Sequence, residues 1–377
     1  MFSKIKWNNY INYIVVTALL ILFSILSMTG SLKGSTAVLL ESISIAVILA
    51  VSLNIVVGFL GELSLGHAGF MCVGAYIGGK IASLMDVDAN NHFAILLSIL
   101  VGGVVAAICG FIIGLPALRL KGDYLAIVTL AFGEIVRVIF LNTGKESFGG
   151  ELGLKTPRYD REYMFIYGFV FVLICLAVLQ NLIRSKHGRA ITAIRDNEIA
   201  AHATGINVTK YKLIAFIVSA FFAGIAGVLY SHTHNRITTE VFDYNYSIEI
   251  LIMVVLGGMG SINGSMIAAV LITVLNNKLS TILTGEMAIL QNLIYALILV
   301  VIVIYNNAPK LKSFREKYNL KNLIAKIPRP KWTKYHYAND EGKWDRVPTK
   351  IEMNEVLSTD FVVKESTKNP DKKGGDE

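Results

Sequence analysis

The chain has 377 residues, of which 54% are hydrophobic and only 16% charged. Soluble proteins carry about a quarter charged residues, and the apolar runs here repeatedly reach the roughly 20 residues that a helix needs to cross a bilayer. A soluble globular protein is therefore excluded, and the net charge of +8 does not point to nucleic acid, because the basic residues flank apolar runs instead of forming one surface.

An all-α polytopic membrane protein is expected, with about ten transmembrane helices, at 10–29, 37–58, 68–85, 92–117, 122–141, 163–183, 212–231, 247–258, 266–283 and 287–305. No small-residue cleavage signature follows the first, so it reads as a retained span and not a removed signal peptide. Lys4 and Lys6 precede it, Arg119 and Lys121 stand between the fourth and fifth, and the loop 184–212 holds six Lys/Arg. The loop 86–91 holds none, 232–246 only Arg236, and in 142–162 four basic residues meet four acidic ones. Alternation through ten spans then puts both termini and each Lys/Arg-dense loop in the cytoplasm of a multi-pass cell (plasma) membrane protein. Cys72, Cys109 and Cys175 each lie inside an apolar run without CxxC spacing, which argues against disulfides and metal sites alike.

Two spans are predicted to be interrupted by glycine. The first break carries Gly58, Gly61, Glu62, Ser64, Gly66 and His67; the second carries Gly257, Gly258, Gly260 and Asn263. Placed in register, Gly58 falls on Gly257, Leu60 on Met259, Gly61 on Gly260 and Leu63 on Ile262. Irregular backbone at membrane depth survives only where protein or a water-filled cavity satisfies it, and paired breaks of this kind mark a translocation pathway. Close packing through small residues is the competing account, and it is preferred for Gly74–Gly78 and Gly110–Gly114. His67 fits either a gating role or a hydrogen-bonded structural one.

Ionisable residues at membrane depth are costly, so each is a functional candidate. Glu134 and Arg137 stand one turn apart and are expected to pair. Glu41 and Glu249 fall near the outer ends of their spans, where either would meet an ammonium group on a substrate or interfacial water. No chain of such groups crosses the membrane, as proton coupling would need. Gly74 to Lys80 nearly spells a phosphate loop, but Ile81 lacks the hydroxyl that ligates Mg²⁺. No cofactor is therefore expected to bind directly, and any ATP or Mg must be used by a partner. His232 and His234 are expected to be surface histidines of an outward loop, without a third ligand for a metal. No nucleophile–base pair suggests an enzyme.

The loop 184–212 has internal order. Ile191, Ile194, Ile199 and Ala203 lie at roughly helical spacing beside Arg195, Asp196 and Glu198. Gly205 is expected to stop that helix before Asn207 opens the next. A short charged helix along the cytoplasmic face suits the docking of a soluble partner. Residues 1–305 form the expected transmembrane domain. Residues 306–334 follow as a basic amphipathic, membrane-proximal segment; nine Lys/Arg and one acid lie between Lys310 and Lys334. A polar, partly disordered cytoplasmic tail is expected over 335–377.

GELSLGHAGF followed by GAYIGG, then RLKGDYLAIVTLAFGEIVR, resembles the branched-chain amino-acid permeases of ABC importers, the LivH/LivM family, in its LivM type. GRAITAIRDNEIAAHATGINVTKYKLIAFIVSAFFAGIAG and LGGMGSINGS are similar to the same family, so the resemblance covers roughly residues 37–305. It implies an ABC importer permease architecture for uptake of Leu, Ile and Val or related amino acids. It also implies a second homologous permease of LivH type, two ABC ATPase subunits and an extracytoplasmic substrate-binding protein. Glu198, Ala200, Ala201 and Gly205 would belong to its EAA-type coupling loop, although Ile199 separates Glu198 from the alanines here. A permease of the same architecture moving urea or short amides, and an ion-coupled secondary transporter, are the alternatives.

Overall fold

A computed structural model describes residues 11–29, 33–85, 92–120, 122–157 and 161–282, with Leu297 and Val300. The chain divides after Ala308, and the described residues all belong to the first unit. The segments expected at 306–334 and 335–377, and all but two residues of 287–305, lie outside the described residues.

The architecture is helical. In chain order come α1 (Ile11–Met28), α2 (Gly34–Asn54), α3 (His67–Leu84), α4 (His92–Ala117), α5 (Asp123–Asn142) and α6 (Arg161–Arg184). They are followed by α7 (Lys186–Asp196), α8 (Glu198–Ala203), α9 (Val208–Thr233), α10 (Tyr244–Gly257) and α11 (Ile262–Ile282). A two-stranded antiparallel ribbon pairs β1 (Leu154–Lys155) with β2 (Arg236–Ile237), setting Leu154 opposite Ile237. Among the described residues six helices are long and apolar enough to cross a membrane: Gly34–Leu60, His92–Ala117, Asp123–Asn142, Met164–Arg184, Val208–Thr233 and Ile262–Ile282. Tyr13–Ser27 and Tyr244–Gly257 are shorter apolar helices.

Helix α2 is the core of the bundle. From Ser44 to Asn54 every residue is buried, because α2 lies between α6, α9 and α11. A helix apolar on all sides needs such a position or lipid around it. By contrast, α4 and α5 turn Ile112, Ile127 and Ile135 outward, each more than half exposed. Those side chains suit hydrocarbon.

Helices α3, α4 and α9 pack backbone to backbone. A Cβ on Gly74 would overlap the backbone of Gly224, and one on Gly110 would press on Ala220. Without an aqueous driving force between spans, such close approach supplies the dispersion contact that holds them. The small residues at Gly74–Gly78 and Gly110–Gly114 thus serve packing, as expected.

Two expectations are corrected. His232 is not a surface histidine: it lies in the last turn of α9, is 1% exposed, and shares a 3.0 Å hydrogen bond between its Nε2 and Ser98 Oγ. The polar loop is not one helix but two, α7 and α8, parted at Asn197, whose φ of −160° is extended. Asn197 breaks the helix because its side chain accepts from the Ala200 amide at 3.0 Å and caps α8. The break turns Ile199 away from Ile191 and Ile194; those two are buried, whereas Ile199 is 79% exposed.

Candidate functional site

The site begins where α2 ends. After Asn54 the helix widens into a π-helical turn, Ile55–Leu60, and stops at Gly61, whose φ is +81°. The chain then runs without regular structure until α3 starts at His67. Gly58 permits the turn, because a Cβ there would strike both the Asn54 side chain and the Gly260 amide nitrogen. Asn54 is fully buried; its Oδ1 accepts from the Gly260 amide at 2.9 Å and its Nδ2 donates to Ser265 Oγ at 2.9 Å. One side chain thereby satisfies the irregular backbone between α10 and α11 from within α2. Gly258 and Gly260 lie there at φ +92° and +80°, while Gly257 sits against Gly264 too closely for any side chain. In space Gly58 meets Gly260, not its register partner Gly257.

The charged helix pair is fastened to this junction. Arg195, in the last turn of α7, donates from Nη1 to the Gly58 carbonyl at 3.1 Å, and its Cγ lies 2.7 Å from where a Gly61 Cβ would stand. Its Nε and Nη2 donate to Asp196 Oδ1 at 3.1 and 3.0 Å, so the guanidinium is held from both sides. A second fastening lies nearby. Lys212 Nζ, on a side chain only 3% exposed, meets Glu62 Oε1 at 2.6 Å and Glu198 Oε2 at 3.5 Å. The loop after the bend, the start of α8 and the first turns of α9 therefore share one ammonium.

Other residues of the first break turn inward. Ser64 is 2% exposed, and Gly66 presses against the Thr129 carbonyl. His67 Nε2 shares a 2.9 Å hydrogen bond with Ser52 Oγ, and Ser219 Oγ donates to the Ser52 carbonyl at 2.8 Å. Asn263 is exposed in the first turn of α11. On the helix pair Ala201 is buried, Ala200 is exposed, and Gly205 ends the segment at φ +85°. Asn207 then caps α9 by accepting from the Lys210 amide at 3.0 Å.

At the far end of α2, α9 and α11 a polar cavity of about 340 Å³ opens, lined by Ser42, Tyr230, His234, Tyr246, Glu249 and Asn276 among others. Along α2 it lies 12 to 16 residues from Gly58, or about 20 Å at 1.5 Å per residue. Asn276 Nδ2 donates to Glu249 Oε1 at 3.4 Å. Glu41 is 3% exposed and does not line this cavity. Glu134 pairs with Arg137 at 2.8 Å, as expected, and also accepts from the Tyr244 amide at 3.2 Å. Among the described residues no three His, Cys, Asp or Glu side chains gather to hold a metal ion.

Asn54 and Lys212 were missed in the sequence. Each stands alone in an apolar or basic context, and each finds its partner across 206 and 150 residues respectively. A polar side chain inside the long apolar run of the second span was the one available signal for Asn54.

An apolar helical bundle with a polar cavity at one end and a charged helix pair latched to a bent core helix at the other has the build of a membrane transport permease. Residues 35–304 match the family described as "Branched-chain amino acid transport system / permease component". The chain belongs to that family, whose members are transport permeases and not enzymes. It is 35% identical over 313 residues to the high-affinity branched-chain amino acid transport system permease protein LivM of Escherichia coli K12, covering 75% of this chain and 71% of that one. The probable LivM of Methanocaldococcus jannaschii is 28% identical over 58% of this chain and 73% of its own. More distantly, the ribose import permease protein RbsC of Escherichia coli K12 is 26% identical over 71% of this chain and 84% of its own. No solved structure matches the chain.

Proposed function

We propose that this chain is the LivM-type permease subunit of an ATP-driven importer and forms part of the membrane pathway for branched-chain amino acids. The names of its LivM relatives support that substrate class over urea or short amides. In this reading about ten spans cross the membrane, two of them broken at glycine, and both termini are cytoplasmic. ATP and Mg are used by two partner ATPase subunits. A LivH-type permease completes the pathway, and an extracytoplasmic binding protein delivers the substrate. Residues 306–334 lie against the inner lipid surface, followed by a polar tail.

The observation that carries the reading is the grip of Arg195 on the Gly58 carbonyl. Movement of a docked ATPase reaches α8 first, through Glu198, Ala200 and the exposed Ile199. It passes to α7 through the short join at Asn197, and from Arg195 to the bend at Gly58 and Gly61. Because Asn54 ties that bend to Gly260, both glycine breaks shift together. Lys212 carries the same movement from Glu198 to Glu62. ATP biases the two states only through a docked surface that differs between them, and short irregular segments take up the dihedral change while packed spans stay rigid. Reconstitution tests it: the complete complex in vesicles takes up leucine when ATP is supplied on the ATPase side. Uptake driven by an ion gradient without ATPase subunits would refute it.

A further inference from the structure

The geometry points to the cavity around Glu249 as the place where a transported amino acid lodges its ammonium group against this subunit's carboxylate, an inference that rests on the function proposed above and assigns chemistry to one site within it. The cavity volume of about 340 Å³ falls within the range of small-molecule sites, roughly 300–1,000 Å³. Among its described lining residues Glu249 is the one carboxylate. A carboxylate set in such a wall attracts a cation and repels an anion.

The position of Glu249 is held. It sits on α10 one turn before the buried Met253, and Asn276 Nδ2 on α11 reaches its Oε1. The lining is two-sided. Glu249, Asn276 and Asn277 supply polar atoms, while Ile45, Ala46 and Met253 supply an apolar wall. An α-amino acid with a branched aliphatic side chain matches both: its ammonium faces Glu249, its carboxylate meets the Asn277 amide, and its side chain lies on the apolar wall. A neutral amide would gain only a hydrogen bond from the carboxylate, without the attraction between opposite charges. The cavity lies at the end of the bundle opposite Arg195, where a substrate entering ahead of the coupled movement must wait. Glu41, the other acid that the sequence offered for this role, is excluded from it because it lines no part of the cavity.

The test compares wild type, Glu249→Gln and Glu249→Asp in vesicles bearing the complete complex with its binding protein, reading leucine uptake and ATP hydrolysis side by side. Glu249→Gln keeps the side-chain shape and loses the charge. It is expected to lower leucine uptake at least tenfold while hydrolysis stays within twofold of wild type, and Glu249→Asp is expected to recover part of the uptake. Wild-type uptake of leucine with a Gln variant within twofold of it would overturn the ammonium site and leave the importer reading standing. A wild-type complex that moves only uncharged amides, whatever residue 249 is, would overturn both.

Discussion

Lys212 shows how much a single side chain can be asked to hold. Its side chain is 3% exposed, and its ammonium is bonded to Glu62 at 2.6 Å, with Glu198 at 3.5 Å. Breaking a buried pair by removing one member leaves the other charge without compensation, at a cost of roughly 3–5 kcal/mol, whereas replacing both with neutral groups costs little. Lys212→Met is therefore expected to lower the thermal stability of the purified complex sharply, and Glu62→Gln combined with Lys212→Met to restore most of it. If the double variant is no more stable than the single one, Lys212 does not act through Glu62. Gly61 and Gly205 offer a second comparison. Both have positive φ, +81° and +85°, but a Cβ at Gly61 meets Arg195 Cγ at 2.7 Å while one at Gly205 meets open space. Each Gly→Ala change carries the left-handed backbone cost of roughly 1–2 kcal/mol. Gly61→Ala should in addition displace Arg195 from the Gly58 carbonyl. Leucine uptake per ATP hydrolysed is expected to fall several-fold in Gly61→Ala and to stay near wild type in Gly205→Ala.

At the scale of elements, the helix pair α7 and α8 divides the labour. Helix α7 is anchored by buried Ile191 and Ile194, while α8 presents Ile199, the most exposed of the large apolar side chains described, at 79%. An apolar knob on a charged six-residue helix suits insertion into a groove of a soluble partner. Ile199→Asp leaves the fold unchanged, since exposed substitutions usually fall within about 0.5 kcal/mol. The variant complex should assemble its permeases normally and lose its ATPase subunits during purification; full retention of those subunits would remove Ile199 from the interface. Charge reversal at Arg195 together with Glu198 is expected to leave hydrolysis running and uptake abolished, and wild-type uptake by that variant would count against the coupling path. Much of this pair was legible beforehand. Helical spacing of Ile191 and Ile194, the stop at Gly205 and the cap at Asn207 all follow from local chemistry, and local chemistry is what a sequence displays. The split at Asn197 was missed because an Asn side chain that caps one helix looks the same as one exposed on a longer helix. What Asn54, Lys212 and His232 bond to was out of reach for another reason. Their partners come from distant spans, and no periodicity records which face of one span meets which face of another.

At the scale of the molecule, the two proposed functional sites lie toward opposite ends of α2. The helix pair grips α2 near Gly58, whereas the cavity opens beside Ser42 and Ile45. The ribbon of β1 and β2 joins the loops that leave α5 and α9 at their far ends, the same side as the cavity. If the basic loop 184–212 faces the cytoplasm, as the Lys/Arg rule requires, the ribbon must face outward, because α9 runs once from one to the other. Single cysteines at His202 and at Lys155, in a chain whose Cys72, Cys109 and Cys175 have been replaced, separate the orientations. Both target positions are exposed. A membrane-impermeant thiol reagent applied to intact cells should label Lys155→Cys and spare His202→Cys, and after lysis it should label both. The reverse pattern in intact cells would put the helix pair outside, beyond the reach of any cytoplasmic ATPase, and would dismantle the coupling path from Ile199 through Arg195 to the bend.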